Sequence, residues 1–219
     1  MTSHQHIESV VLSIDPGTRN LGVCILRRSD SRILGWSIID LIKSCELRPK
    51  KKISGGTIPI QTQTLTHTQR PALGREQILI ENMSKIFDYI FNLRQDLIPD
   101  IVVLEKQYRN VKMTKMSTAI ATYFIVRFHS RIVFRSAIDK FIPHLDKIPP
   151  TLRNKLHGKG REQYENRKKV SVIVAIKILT SRGDNVWSNF IESFPVGHND
   201  DLTDAFLQGL LLCDVRHGE

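Results

Sequence analysis

Val10-Val11-Leu12-Ser13-Ile14-Asp15-Pro16-Gly17-Thr18-Arg19-Asn20-Leu21-Gly22-Val23-Cys24-Ile25-Leu26 holds two apolar runs separated by a polar turn. Val10 to Ile14 reads as a buried strand, Asp15-Pro16-Gly17-Thr18 as a turn, and Leu21 to Leu26 as a second strand folding back. Leu34 to Ile39 reads as a third strand, so the chain opens as an antiparallel meander.

Beyond it, residues Lys43 to Arg70 turn polar and rich in Thr, Gln and Lys, with Gly55-Gly56, and read as an exposed, mobile insertion. From Gly74 to about Arg94 the apolar positions Leu79, Met83, Ile86, Phe87 and Ile90 recur at helical spacing. A short strand Ile101-Val102-Val103-Leu104 is closed by Glu105. Met113, Met116, Ile120, Tyr123 and Phe124 then form a helical stripe that serves either core packing or a pairing surface. Arg131 to Ser136 reads as a strand, and Ile142 to Gly160, with three prolines and two glycines, as a loop or short helices. Helices are expected over Asn166 to Leu179 and Asp200 to about Asp214. The order β-β-β-α-β-α-β-α-α predicts an α/β fold in which crossover-linked parallel strands join the meander.

At 219 residues and 41% hydrophobic content the chain can bury one substantial core, and one domain is expected over 1–219. No apolar run is long enough to span a membrane, and the N-terminal residues show neither a secretory stretch nor an Arg-rich leader. The expectation is therefore a protein that is neither secreted nor membrane-bound. Cys24, Cys45 and Cys213 lack metal-ligand spacing, and Cys24 and Cys213 read as core residues. A formal charge of +10 points to a polyanionic partner.

The chemistry concentrates in His198-Asn199-Asp200-Asp201-Leu202-Thr203-Asp204, at the mouth of an apolar segment. On a helix Asp201 and Asp204, at i,i+3, share one face, and Asp200 and Asp204, at i,i+4, nearly do. Acidic residues in a first turn also complement the helix dipole, which accounts equally well for Asp200 and Asp201. Asp204 lies about a turn further in, where an unpartnered carboxylate is costly. If the strands ending at Asp15 and Glu105 pair in parallel, their carboxylates lie about 5 Å apart at the strand ends, the usual ligand crevice of α/β sheets. Four carboxylates there repel unless cations bridge them, and Mg²⁺ is the hard, oxygen-loving ion that suits them.

Taken in order, Ser13-Ile14-Asp15-Pro16-Gly17-Thr18-Arg19-Asn20-Leu21-Gly22, Val103-Leu104-Glu105-Lys106-Gln107 and Asp200-Asp201-Leu202-Thr203-Asp204 resemble the acidic motifs of RuvC-type Holliday junction resolvases, most of all the poxvirus and mitochondrial branch. That resemblance implies an RNase H-like fold with a mixed five-stranded sheet flanked by helices. It also implies a homodimer and symmetric, Mg²⁺-dependent nicking of four-way DNA junctions, with two ions, Mn²⁺ as a substitute and no small-molecule cofactor. It carries metal and catalytic roles onto Asp15, Glu105, Asp201 and Asp204, with Asp200 as the alternative to Asp201. The family's basic residue falls on Arg167-Lys168-Lys169, with Lys169 favoured and Lys168 second, and His198 stands beside the acids as a further candidate. The missing leader favours the viral branch, which implies concatemer resolution in the host-cell cytoplasm or nucleus.

Lys106, Arg109, Lys112 and Lys115 recur every three residues, which on a helix forms a slanting basic stripe suited to a phosphate backbone. Arg167 and Lys168 belong to a second basic segment, Thr151 to Lys169, and Lys50-Lys51-Lys52 makes a third. With 7% aromatic residues a base-stacking platform is not expected, so recognition should be of shape and phosphate. Three other readings stay in view. An RNA–DNA hybrid ribonuclease of the same fold would use the same acids, and a junction-binding module would not cleave. An actin-like or sugar-kinase ATPase would need a second Asp-x-Gly-Thr copy that is absent from this sequence.

Overall fold

In the computed structural model the described residues are 8–17, 20–42, 74–107, 110–156, 160–194 and 199–213. The insertion at 43–70, Cys45, Lys50 to Lys52, Arg109 and His198 lie outside them. Five strands form one mixed sheet: β1 (Val10–Asp15), β2 (Leu21–Arg27), β3 (Ile33–Ile39), β4 (Ile101–Glu105) and β5 (Arg131–Arg135). Their order is β3-β2-β1-β4-β5, with β1, β2 and β3 antiparallel and β4 and β5 added in parallel on the other side of β1. This is the α/β, RNase H-like architecture expected from the sequence.

Among the described residues six α-helices flank the sheet: α1 (Arg75–Leu93), α2 (Val111–Phe128), α3 (Pro150–Arg153), α4 (Arg161–Ser181), α5 (Asn185–Glu192) and α6 (Asn199–Cys213). Because side chains alternate along a strand, the sheet builds two cores. Leu12, Ile14, Val102 and Leu104 pack with α1 and α2. Val11, Ile101 and Val103 share the opposite core with Val174, Ile178, Phe206 and Leu210 of α4 and α6. Asp15 and Glu105 continue the second alternation, so both face α6.

Three elements depart from expectation. Helix α4 starts at Arg161, five residues before the apolar stripe, because its first turns are polar and carry no periodicity. An Arg161–Glu165 ion pair of 2.9 Å supports that stretch at i,i+4. Helix α5 is absent from the sequence reading. Eight residues are too short for a readable period, yet Trp187 and Phe190 pack their rings at a tilt against Trp36, with centroids at 5.9 and 6.2 Å. The supposed helical stripe of bases is also not one stripe. Lys106 sits in the loop after β4, and α2 begins only at Val111, where Asn110 caps it by accepting from the Met113 amide at 3.2 Å. Met116 and Ile120 are core residues at 3% and 0% exposure, so that apolar stripe is spent inside the fold.

Candidate active site

Asp15 and Glu105 end adjacent parallel strands. Ile14 pairs with Leu104, so the next residue on each strand is an acid. Both carboxylates emerge at the carboxyl edge of the sheet, on the face that α6 crosses. Helix α6 is held there by close backbone approach. Trp36 Nε1 donates to the Leu202 carbonyl at 2.9 Å, and Gln208 Nε2 donates to the Ile14 carbonyl at 3.3 Å, one residue before Asp15. A Cβ on Gly22 would stand 2.8 Å from the Asp201 carbonyl carbon, and one on Gly209 would stand 2.7 Å from Leu26 and 3.0 Å from Ser13. At Gly22 the obstacle is the Asp201 backbone itself, so glycine there lets the first turn of α6 carry Asp201 and Asp204 to the strand ends.

The four predicted acids are brought together. Burial raises the Asp15 carboxyl well above the ordinary aspartate range, and repulsion from Glu105, Asp204 and Asp201 raises it further against the pull of Lys140. Glu105 is raised as well, chiefly by burial, with Asp204 repelling it and Lys140 drawing it back. Burial and the neighbouring Asp200 lift Asp201 to about 6, while Lys168 and a hydrogen bond from Asn20 oppose the rise. Ionised together, these groups form a site short of positive charge.

Part of that deficit is met by Lys140, which the sequence reading passed over. Its side chain is 3% exposed, and Nζ lies 2.7 Å from Asp204 Oδ1 and 3.5 Å from Glu105 Oε2. Burial disfavours its charge, but Asp204, Glu105 and Asp15 outweigh burial and hold its pKa above the usual lysine value. Lys140 arrives on a 3₁₀ segment, Asp139–Lys147, fixed where the Ser136 amide donates to Asp139 Oδ2 at 3.1 Å. One signal could have found it. β5 runs parallel beside β4 with Glu105 opposite Arg135, so residues just after β5 reach the same edge as the acids.

The second cation is Lys168, not the favoured Lys169. Lys168 Nζ pairs with Asp200 and lies 3.9 Å from Asp201 Oδ1, whereas Lys169 is exposed. The preference for Lys169 rested on the core spacing of Val172, Ile176 and Leu179. Adjacent positions lie about 100° apart on a helix, and the one nearer the α6 seam is 168. Arg167 donates to the Leu156 carbonyl at 3.3 Å and lowers Glu105 from a distance. Asp200 is buried at 2% and turns toward Lys168.

No group of three or more His, Cys, Asp or Glu side chains among the described residues stands arranged around a metal position. The Lys140 ammonium lies between Glu105 and Asp204 instead. The donor set nevertheless suits a hard divalent ion: it is all carboxylate oxygen, and burial together with neighbouring acids holds Asp15, Glu105 and Asp201 above their ordinary pKa values. Asp15, Glu105, Asp201 and Asp204 are the residues that could hold one.

Lys112 and Lys115 of α2 line a cavity of about 500 Å³ with Arg75 and Glu76 of α1. Lys115 Nζ is paired with Glu76 at 2.9 Å, which leaves Lys112 and Arg75 as the freer charges at this opening. No described helix is long and apolar enough to cross a membrane.

The mixed five-stranded sheet with helices packed on both faces is an RNase H-like fold, and four carboxylates gather at one of its edges. No protein-family profile and no curated protein matches the sequence. Among solved structures, the fowlpox virus resolvase in complex with substrate Holliday junction DNA aligns at a TM-score of 0.53 and 16% identity, over 93% of this chain and 96% of that one. Thermus thermophilus RuvC aligns at 0.49 and 13% identity over 91% and 92%, and T. thermophilus RuvC in complex with a Holliday junction substrate at 0.45 and 13% over 92% of each chain. This chain thus has the fold of the fowlpox virus resolvase.

Proposed function

We propose that this protein is a structure-selective DNA endonuclease that resolves four-way junctions by paired symmetric nicks. The observation that carries the reading is the convergence of Asp15, Glu105, Asp201 and Asp204, from three separate elements, at one sheet edge flanked by basic helices. The fold shared with a resolvase solved on junction DNA supports the same reading. In it, these four carboxylates hold Mg²⁺, with Mn²⁺ as a substitute. When bound, two such ions supply an activated water and stabilise the leaving oxygen of a phosphodiester.

The chain's own residues do the remaining work. Lys140 neutralises Glu105 and Asp204 from within the protein and keeps the cluster assembled. Lys168 presents an ammonium beside Asp201, where it can meet a non-bridging phosphate oxygen as charge develops there. Burial of the cluster weakens dielectric screening, so each of these charges acts more strongly than it would in water. Lys112, Arg75, Arg167 and the loop residue Lys106 flank the edge as phosphate contacts that position DNA without reading its sequence. A twofold pair of chains would set two such edges against opposed strands of a junction. Resolution of branched or concatemeric viral genomes in the host cell is the role we assign to that activity.

The test is strand-specific nicking of a mobile four-way junction, with linear duplex and RNA–DNA hybrid as controls, with and without Mg²⁺. Paired nicks that require Mg²⁺ and disappear in Asp15→Asn, while junction binding persists, support the reading. Faster hydrolysis of the hybrid would move the assignment to a ribonuclease, and binding without cleavage to a junction-binding module.

A further inference from the structure

We propose that Asp200 is a positioning residue, not a metal ligand: it clamps the Lys168 ammonium beside Asp201, and Lys168 acts on the phosphate from that fixed place. The inference rests on the nuclease reading and assigns a task to the one buried acid among the described residues which that reading leaves unused.

Three observations carry it. Asp200 and Asp201 are neighbours on α6 and so point about 100° apart. The Asp201 side chain is 20% exposed, whereas that of Asp200 is 3% exposed and pairs with Lys168. Asp200 faces the other way, into the seam between α6 and α4.

A carboxylate this deeply buried needs a cation, and one is supplied from α4. The lysine is held from a second side by its own helix, where the ammonium lies 4.9 Å from the centre of the Tyr164 ring, one turn earlier. Its third neighbour is Asp201 Oδ1 at 3.9 Å. The Lys168 side chain keeps 28% exposure and opens onto a groove of about 500 Å³ shared with Leu152, Val172 and Asn199. A lysine has a flexible four-carbon stem and no preset geometry. A fixed anion behind it and an aromatic face beside it turn that stem into a defined donor facing an approachable surface. Lys169, one residue on, lines the same groove, but among the described residues it has no acid or ring partner to fix it.

The experiment pairs Asp200→Asn with Asp201→Asn, Lys168→Met and the double variant Asp200→Asn/Lys168→Met. Magnesium titration by calorimetry and amine acylation read by mass spectrometry need no DNA. They therefore report on the clamp even if the wild type cleaves no junction, an outcome that would remove the junction-resolving reading alone. Asp200→Asn is expected to keep Mg²⁺ affinity within about twofold, to raise acylation of Lys168, and to slow single-turnover nicking on the order of 10- to 100-fold at unchanged junction affinity. Asp201→Asn should weaken Mg²⁺ binding. If Asp200 acts only through Lys168, the double variant cleaves no more slowly than Lys168→Met. Should Asp200→Asn fail to fold, Asp200→Leu/Lys168→Met leaves no charge unpaired and is expected to fold with Mg²⁺ affinity intact. Loss of Mg²⁺ affinity in either Asp200 variant, or multiplying defects in the double variant, overturns the proposal.

Discussion

Replacing Lys140 by methionine tests whether that residue is the cluster's resident counter-ion. At 2.7 Å from Asp204 and 3.5 Å from Glu105, an ammonium attracts the two carboxylates by about 6 and about 5 kcal/mol at an effective dielectric near 20. Burying the ammonium costs several kcal/mol, so the loss on removing it is smaller, about 3–5 kcal/mol. That is a large share of the roughly 5–15 kcal/mol that stabilises a typical domain. The loss should depend on conditions in two ways. Without Lys140 the carboxyls of Asp15 and Glu105 are pushed further above their ordinary pKa values and bind protons more readily in the fold. The variant is then least stable at neutral and alkaline pH and recovers toward acid. Saturating Mg²⁺ should also stabilise the variant more than the wild type, because the ammonium no longer competes for the same oxygens. Urea unfolding in EDTA and in Mg²⁺, at several pH values, measures all three effects. A loss independent of both pH and Mg²⁺ would mean that Lys140 contributes packing only, and wild-type stability in EDTA would refute the counter-ion role outright.

Gly22→Ala should destabilise the fold by about 1–3 kcal/mol and impair nicking, since the new methyl pushes the Asp201 backbone from the strand ends; thermal unfolding with a nicking assay checks it, and an inert substitution would show that α6 can slide. Lys112→Ala should weaken junction and duplex binding alike and lower the slope of log affinity against log salt by about 0.9 if one phosphate contact is lost. Lys115→Ala should change less, because Glu76 already holds that ammonium. Asp201, at about 6 in the fold, stands above the ordinary aspartate value of about 3.9. Its stability contribution is therefore full below about pH 4 and lost as pH rises through about 6. Mg²⁺ requires the ionised acid, so binding near pH 5 should release about one proton from this group, detected as heat that varies with the buffer's ionisation enthalpy; binding with no proton release would contradict the assigned shift.

Much of this molecule follows from local pattern. The apolar runs Val10 to Ile14 and Ile101 to Leu104 mark buried strands, and an acid follows each. The spacing of Asp201 and Asp204 puts both on one face of α6. These are near-neighbour properties, and side-chain periodicity determines them before any tertiary contact forms. The start of α4 and the existence of α5 were not legible in the same way. Polar first turns have no apolar period to display, and Trp187 and Phe190 acquire their role only by meeting Trp36 from a distant strand. What tertiary structure alone decided is the cation side of the site. Lys140 lies 35 positions from Glu105 and 64 from Asp204, in a segment with no repeating pattern. Lys168 and Lys169 are equivalent in composition and differ only in which side of α4 faces the α6 seam. Carboxylates at strand ends are placed by strand direction, which sequence encodes locally; a lysine reaches them by packing across the fold, where charge and burial choose among many candidates.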